Sequence, residues 1–233
     1  MASAHPHRVV RPSRPRRASR TGRTGGVLRR FVAAAALAVL ALPVGAAVAA
    51  AAPPPPPDES DSRAQLATLH VGYEDNVGYD RSLFTHWITI SGTCDTRETV
   101  LKRDGTGVTT DSSCRATGGT WKSVYDDRTF TVSSDLDIDH VVPLAEAWGS
   151  GANLWDAARR KAFANDLNIP QLIAVSASSN RSKSDQDPAE WQPPSTGWHC
   201  QYARSWIQVK YVYDLEVNSA EKTALTGMLD ASC

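Results

Sequence analysis

Apolar and polar positions alternate strictly in Leu136-Asp137-Ile138-Asp139, which predicts a strand with both acids on one face. Pro143 ends that strand. Leu172-Ile173-Ala174-Val175, after Pro170, is a continuous apolar run and predicts a second strand. Over 176–180 the chain turns into a polar helix carrying Arg181 and Lys183, stopped before Pro188. The order here is strand, long insert, strand, helix. Within the insert, Asn153 is expected to cap a helix running to about residue 165, with Leu154, Ala158 and Phe163 on its buried stripe.

Upstream, residues 120–125 and 128–132 flank Asp126-Asp127 and predict a β-hairpin, with Trp121, Val124, Tyr125, Phe130 and Val132 as its apolar contacts. Asp95 followed three residues later by Glu98 predicts a capped helix start, with Val100 and Leu101 facing the core and Gly105 and Gly107 stopping the helix. Residues 63–69 and 79–84 suggest short helices, and 87–90 a strand. Helices over 198–213 and 220–229 close the chain, the second capped by Asn218 with Glu221. The fold class is α+β.

The first 50 residues stand apart. They hold nine arginines and no acid, then an apolar run over 31–42, then Pro43, Gly45 and the small residues 46–49. That is the pattern of a secretory signal, which makes the protein extracellular and leaves it without stable membrane association once the leader is cut. The uncharged stretch 31–52 is long enough to span a bilayer, so an outward-facing membrane anchor is the alternative. Pro43, Gly45 and the alanine content argue against it. Arg29-Arg30 does not decide between the two bacterial export routes.

Losing the leader changes the electrostatics. The chain has 25 basic and 25 acidic residues; without nine arginines, 16 basic face 25 acidic, a net of −9. An acidic protein is a poor general binder of polyanions and an unpromising sequence-reading DNA binder. It must rely on a local basic patch and a bound cation. Residues 51–62, with five consecutive prolines and then acids, read as a stiff exposed linker. Residues 63–233 suit one domain with its own core, treated as a monomer because nothing in the sequence sets an oligomeric state.

Cys94, Cys114, Cys200 and Cys233 are the only cysteines, and an even count in an exported chain favours two disulfides. Of three connectivities, pairing by neighbours is preferred: Cys94–Cys114 and Cys200–Cys233. A cysteine zinc site is disfavoured, since there is no C-x-x-C pair and His199 stands alone beside Cys200.

The candidate chemistry lies at the two strands. Asp139 and the amide oxygen of Asn180 are hard ligands for one divalent cation, Mg²⁺ first, with Mn²⁺ or Ca²⁺ as alternatives. His140 is suited to take a proton from water. Arg181 or Lys183 would clamp a phosphate. A regular strand sends Asp139 and His140 to opposite faces, so the chain must twist near Pro143 for both to serve one phosphate. Each residue also has an ordinary role. Asp-His pairs are common, asparagine suits a helix cap, and two cations suit a solvated helix face. Trp191 and Trp198 read as packing residues.

The set D-I-D-H-V-V-P with N-R-S-K-S-D-Q-D-P resembles the HNH, or ββα-metal, endonucleases, including the HNH domain of CRISPR effectors. The fuller pattern over 63–233, including Cys94-Asp95-Thr96-Arg97, is similar to secreted actinobacterial proteins of that family. The resemblance implies a ββα-metal core within a mostly helical, disulfide-stapled domain. It implies one metal on Asp139 and Asn180, His140 as general base, and products with 5′-phosphate and 3′-hydroxyl ends. Asp137 is expected to support a ligand from behind. Gln171 stands nearest the position where many members have an asparagine that braces the metal loop, and the insert over 149–168 is longer than in compact members. The expected substrate is DNA, with RNA as the alternative. The rivals are a non-catalytic binding protein of the cell envelope and a hydrolase of another phosphodiester.

Overall fold

The computed structural model describes residues 52–233, so the expected signal segment lies outside the described residues. Helix α1 (Glu59–Thr68) starts where the Asp58 side chain accepts from the Asp61 amide. It thus begins inside the stretch expected to be linker. Pro56 is buried, and the carbonyls of Pro56 and Pro57 accept hydrogen bonds from Arg204. A proline run leaves its carbonyls unpaired, so it can dock wherever donors are offered. Residues 79–84 form no full helix, only a single 3₁₀ turn, Arg81–Leu83.

Strands β1 (Thr89–Ser91) and β2 (Cys94–Asp95) pair antiparallel and lead into α2 (Thr96–Asp104). Asp95 and Glu98 complete the expected capping box, and Val100 and Leu101 are buried. Gly105 ends the helix as expected, but the chain continues directly into a strand. β3 (Gly105–Thr110), β4 (Ala116–Ser123) and β5 (Arg128–Phe130) form an antiparallel three-stranded sheet. The β4–β5 hairpin was foreseen; β3 was not. A Cβ on Gly105 would overlap the Trp121 indole nitrogen, so this glycine serves close packing as well as termination. Val132, expected among the hairpin's apolar contacts, is 54% exposed because β5 ends before it.

β6 (Leu136–His140) and β7 (Leu172–Ser176) pair antiparallel in full register, from Leu136 opposite Ser176 to His140 opposite Leu172. Between them run α3 (Leu144–Gly149), a 3₁₀ turn (Ala152–Leu154) and α4 (Ala157–Ala164). Asp156 rather than Asn153 caps α4, which leaves Leu154 and Ala158 exposed and only Phe163 of the expected stripe buried. α5 (Ala177–Lys183) follows β7 directly, and α6 (His199–Tyr213) and α7 (Ser219–Ser232) close the chain. Asn218 and Glu221 form the second capping box.

Two apolar cores flank the β6–β7 pair. One face, with Leu136, Ile138, Leu172 and Ala174, packs on Val100, Leu101 and Trp121. The other, with Ile173 and Val175, joins the larger core built around Tyr202, Trp206 and Leu225. Disulfides Cys94–Cys114 and Cys200–Cys233 are formed as neighbour pairing required. The architecture is mixed α+β with two disulfides.

Candidate functional site

β6 ends at one mouth of a cavity of about 290 Å³ that Asp139, His140 and Asn180 line together, with Arg81, Arg181 and Asp185 around them. The pleat sends neighbouring residues to opposite faces. Asp139 nonetheless reaches the same space as His140 because the strand stops there. The Val141 amide still bonds to the Gln171 carbonyl, but Val142 is held by the Gln171 side chain. Gln171 Oε1 accepts from the Val142 amide at 3.1 Å and Nε2 donates to the Val142 carbonyl at 2.8 Å. This buried amide replaces the next rung of the sheet and lets the chain bend toward Pro143.

Asp139 is 5% exposed and both its oxygens are engaged. Lys183 Nζ donates to Oδ1 at 2.9 Å and the Tyr125 hydroxyl to Oδ2 at 2.6 Å. Burial raises the Asp139 pKa, against the lowering effects of the Lys183 ammonium and the Tyr125 hydroxyl. Burial likewise lowers the pKa of Lys183, and Asp139 opposes that shift. Lys183, expected as a phosphate clamp, has no exposed side-chain surface and also donates to the His140 carbonyl. It braces the strand end and cannot reach a substrate phosphate.

His140 is 6% exposed, and its Nε2 lies 3.0 Å from the Ala164 carbonyl. A carbonyl only accepts, so Nε2 carries the proton and Nδ1 keeps its lone pair. Burial pushes the imidazole pKa down to about 3, aided by the charges of Arg81, Lys183 and His86 and opposed by the Ala164 bond. The ring is therefore neutral across the physiological range. Trp87 packs on it with ring centroids 5.6 Å apart, from a backbone φ of 56° that bulky residues rarely adopt.

α5 starts at Ala177 because the Ser176 hydroxyl caps it, which frees Asn180 from the capping role. Asn180 Nδ2 donates to Asp137 at 3.3 Å, leaving Oδ1 without a partner among the described residues. Arg181, largely exposed, pairs with the same Asp137 oxygen at 3.4 Å. Asp137 thus steers both side chains of the following helix.

Sequence reasoning missed Tyr125 and Arg81. Tyr125 was foreseen only as an apolar hairpin residue, and its bond to Asp139 arises from a tertiary approach that no local pattern signals. Arg81 lies far upstream of the motif. A second acidic cluster, Glu74, Glu146 and Glu221, was also not foreseen. Buried Lys210 bonds to Glu146 and Glu221, so an ammonium already neutralises part of that group. Trp191, partly buried, packs edge-on against Tyr125 and Tyr202 of the core.

With this geometry in view, the comparisons place the chain in a nuclease-related class. The family model described as "GmrSD restriction endonucleases, C-terminal domain" matches residues 95–228, more than half of the chain. The chain belongs to that family. It is also 61% identical over 153 residues to an "Uncharacterized secreted protein" of Arthroderma benhamiae, covering 66% of this chain and 75% of that one. That relative is fungal, whereas the sequence resemblance pointed to actinobacterial proteins. No solved structure matches.

Proposed function

We propose that this chain is an exported, metal-dependent nuclease of HNH type, hydrolysing DNA in preference to RNA. The observation that carries the reading is that Asp139, His140 and Asn180, which the sequence separates by up to 41 positions, line one cavity. The antiparallel β6–β7 pair followed by α5 is the ββα order such a site needs. The family's description as restriction endonucleases supports DNA as the substrate. The leader pattern and the secreted relative support export, and among the described residues no helix is long and apolar enough to cross a membrane.

The donor set fits a hard divalent cation. Asn180 Oδ1 is unpartnered, and each Asp139 oxygen accepts one hydrogen bond, leaving a lone pair for a second contact. These two residues would hold Mg²⁺, with Mn²⁺ or Ca²⁺ as substitutes, and Asp137 would orient the Asn180 amide. A cation bound there supplies Lewis-acid stabilisation of charge on the phosphate oxygens.

His140 Nδ1 takes a proton from water as the water oxygen bonds to phosphorus and the bond to the 3′-oxygen breaks, and the departing 3′-oxygen takes a proton from solvent to give the hydroxyl. A pKa of about 3 describes the substrate-free ring. The negative charge of an entering phosphodiester opposes that depression. Ala164 and Trp87 hold the ring in place throughout.

One observation favours a non-catalytic phosphodiester-binding protein instead: the Lys183 ammonium already neutralises Asp139. Plasmid cleavage by the purified chain against added Mg²⁺ or Mn²⁺, beside His140→Ala, separates the two. The nuclease reading expects a metal-dependent rate that falls by at least about 100-fold in the variant. Equal rates in the two proteins reject His140 as the base, and no cleavage by either favours the binding protein.

A further inference from the structure

The cavity contains a cation that no part of the β6–β7–α5 unit supplies. Arg81, on the 3₁₀ turn Arg81–Leu83, lines it with Asp139, His140, Asn180 and Arg181. Its position in sequence, well before β6, gave no hint of this.

Arg81 is bound to no carboxylate and no backbone carbonyl among the described residues, and the group beside it is the neutral hydroxyl of Tyr79. Among the described residues every other arginine pairs with a carboxylate or donates to a backbone carbonyl. Arg81 has neither kind of partner. The other two cations near the site are spoken for, Arg181 by Asp137 and buried Lys183 by Asp139.

Its backbone, by contrast, is fixed. The Asp80 side chain caps the turn by accepting from the Ser82 amide at 2.8 Å. Phe84, just after the turn, is fully buried against Trp148 and Phe163, with centroids 6.4 and 6.2 Å away. Tyr79, just before it, packs on Phe84 and Trp148. An anchored turn thus presents a guanidinium without a counter-charge to a cavity that a neutral imidazole and an amide also face. A guanidinium so placed matches the oxygen pair of a phosphate in a fork-like, charge-assisted contact. The excess of acids outside the leader makes such a local cation necessary for holding a polyanion at all.

We infer that Arg81 is the phosphate-binding residue of this site, holding the non-bridging oxygens of the phosphodiester that His140 faces. The inference deepens the nuclease reading and rests on it for the identity of the ligand as nucleic acid.

The test uses the full chain and a short labelled DNA duplex, with binding read by fluorescence anisotropy over a series of NaCl concentrations. His140→Ala is compared with His140→Ala/Arg81→Ala, so that cleavage does not interfere. Losing Arg81 is expected to weaken binding roughly tenfold or more. The slope of log affinity against log salt should become shallower by about 0.9, the signature of one lost phosphate contact, which a merely structural residue would not produce. Arg81→Lys should restore the slope and only part of the affinity. Thermal unfolding should be unchanged, because the side chain is exposed. Equal affinity and slope with and without Arg81 overturn the inference. Cleavage by otherwise wild-type protein and by Arg81→Ala is measured in parallel. If wild type cleaves and Arg81→Ala cleaves equally, Arg81 is wrong and the nuclease reading stands. If wild type leaves DNA intact while binding still depends on Arg81, the phosphate site stands and the nuclease reading falls.

Discussion

Arg181 and Lys183 illustrate how burial separates residues that a sequence presents as equals. Both sit on a short polar helix, yet Arg181 is largely in solvent while Lys183 is sealed between Asp139 and the His140 carbonyl. Helical spacing carries part of the reason. Ser179 and Lys183, four apart, share the buried face, and Arg181 points away from it. The pattern 179/183 was available in the sequence, but not the fact that a carboxylate waited opposite. Removing one member of a buried ion pair strands the other, at a cost of about 3–5 kcal/mol. Lys183→Met should therefore lower the urea-unfolding free energy by that amount, whereas Arg181→Ala should change it by less than about 1 kcal/mol. If Lys183→Met unfolds at the wild-type urea concentration, the ion pair is not what holds the strand end. The convergence of Asp139, His140 and Asn180 on one cavity was legible because a strand, a second strand and a helix in that order bring their ends together. Tyr125, Arg81 and the Ala164 carbonyl were not, since they reach the site through tertiary contacts.

Elements whose determinants are local were equally legible. The capping boxes Asp95/Glu98 and Asn218/Glu221 each need only four consecutive residues, and both formed where expected. Strand β3 is the opposite case. Gly105-Thr106-Gly107 reads locally as a helix stop, and its extended state depends on pairing with β4, from Gly105 opposite Trp121 to Thr110 opposite Ala116. The start of α4 moved because Asp156 outcompeted Asn153 as a cap, a choice between two good capping residues that propensity alone does not settle. Asp95→Ala, by removing the acceptor for the Glu98 amide, should cost about 1 kcal/mol of unfolding free energy. Replacing Cys94 and Cys114 together by serine opens a loop with a sequence separation of 20 and should cost about 3 kcal/mol. A double serine variant as stable as wild type would mean the β1–β2 region is held by packing alone.

Over the whole molecule, two buried groups set opposite limits on pH stability. His140 has a pKa of about 3 when folded against 6.5 ordinarily. Between those values the unfolded chain binds a proton that the folded protein refuses, so stability falls as pH drops through that window. Glu146 is raised by burial from 4.5 to about 8, with the Lys210 ammonium opposing the shift. Between 4.5 and 8 the folded protein keeps a proton that the unfolded chain has released, so stability falls as pH rises. The two slopes, each about 1.4 kcal/mol per pH unit, cancel where the windows overlap. Stability should therefore be highest between pH 4.5 and 6.5 and decline on both sides. Melting temperatures across pH 3–8 check the shape, and two variants identify its causes. His140→Ala should flatten the acid limb and leave a continuous fall from pH 4.5 to 8, because alanine has no proton to gain on unfolding. Glu146→Gln should flatten the alkaline limb, because a glutamine keeps its hydrogens in both states. A wild-type profile that rises from pH 4.5 to 6.5 and stays level to pH 8 would show that Glu146 is ionised in the folded protein and that Lys210 neutralises both of its carboxylate partners.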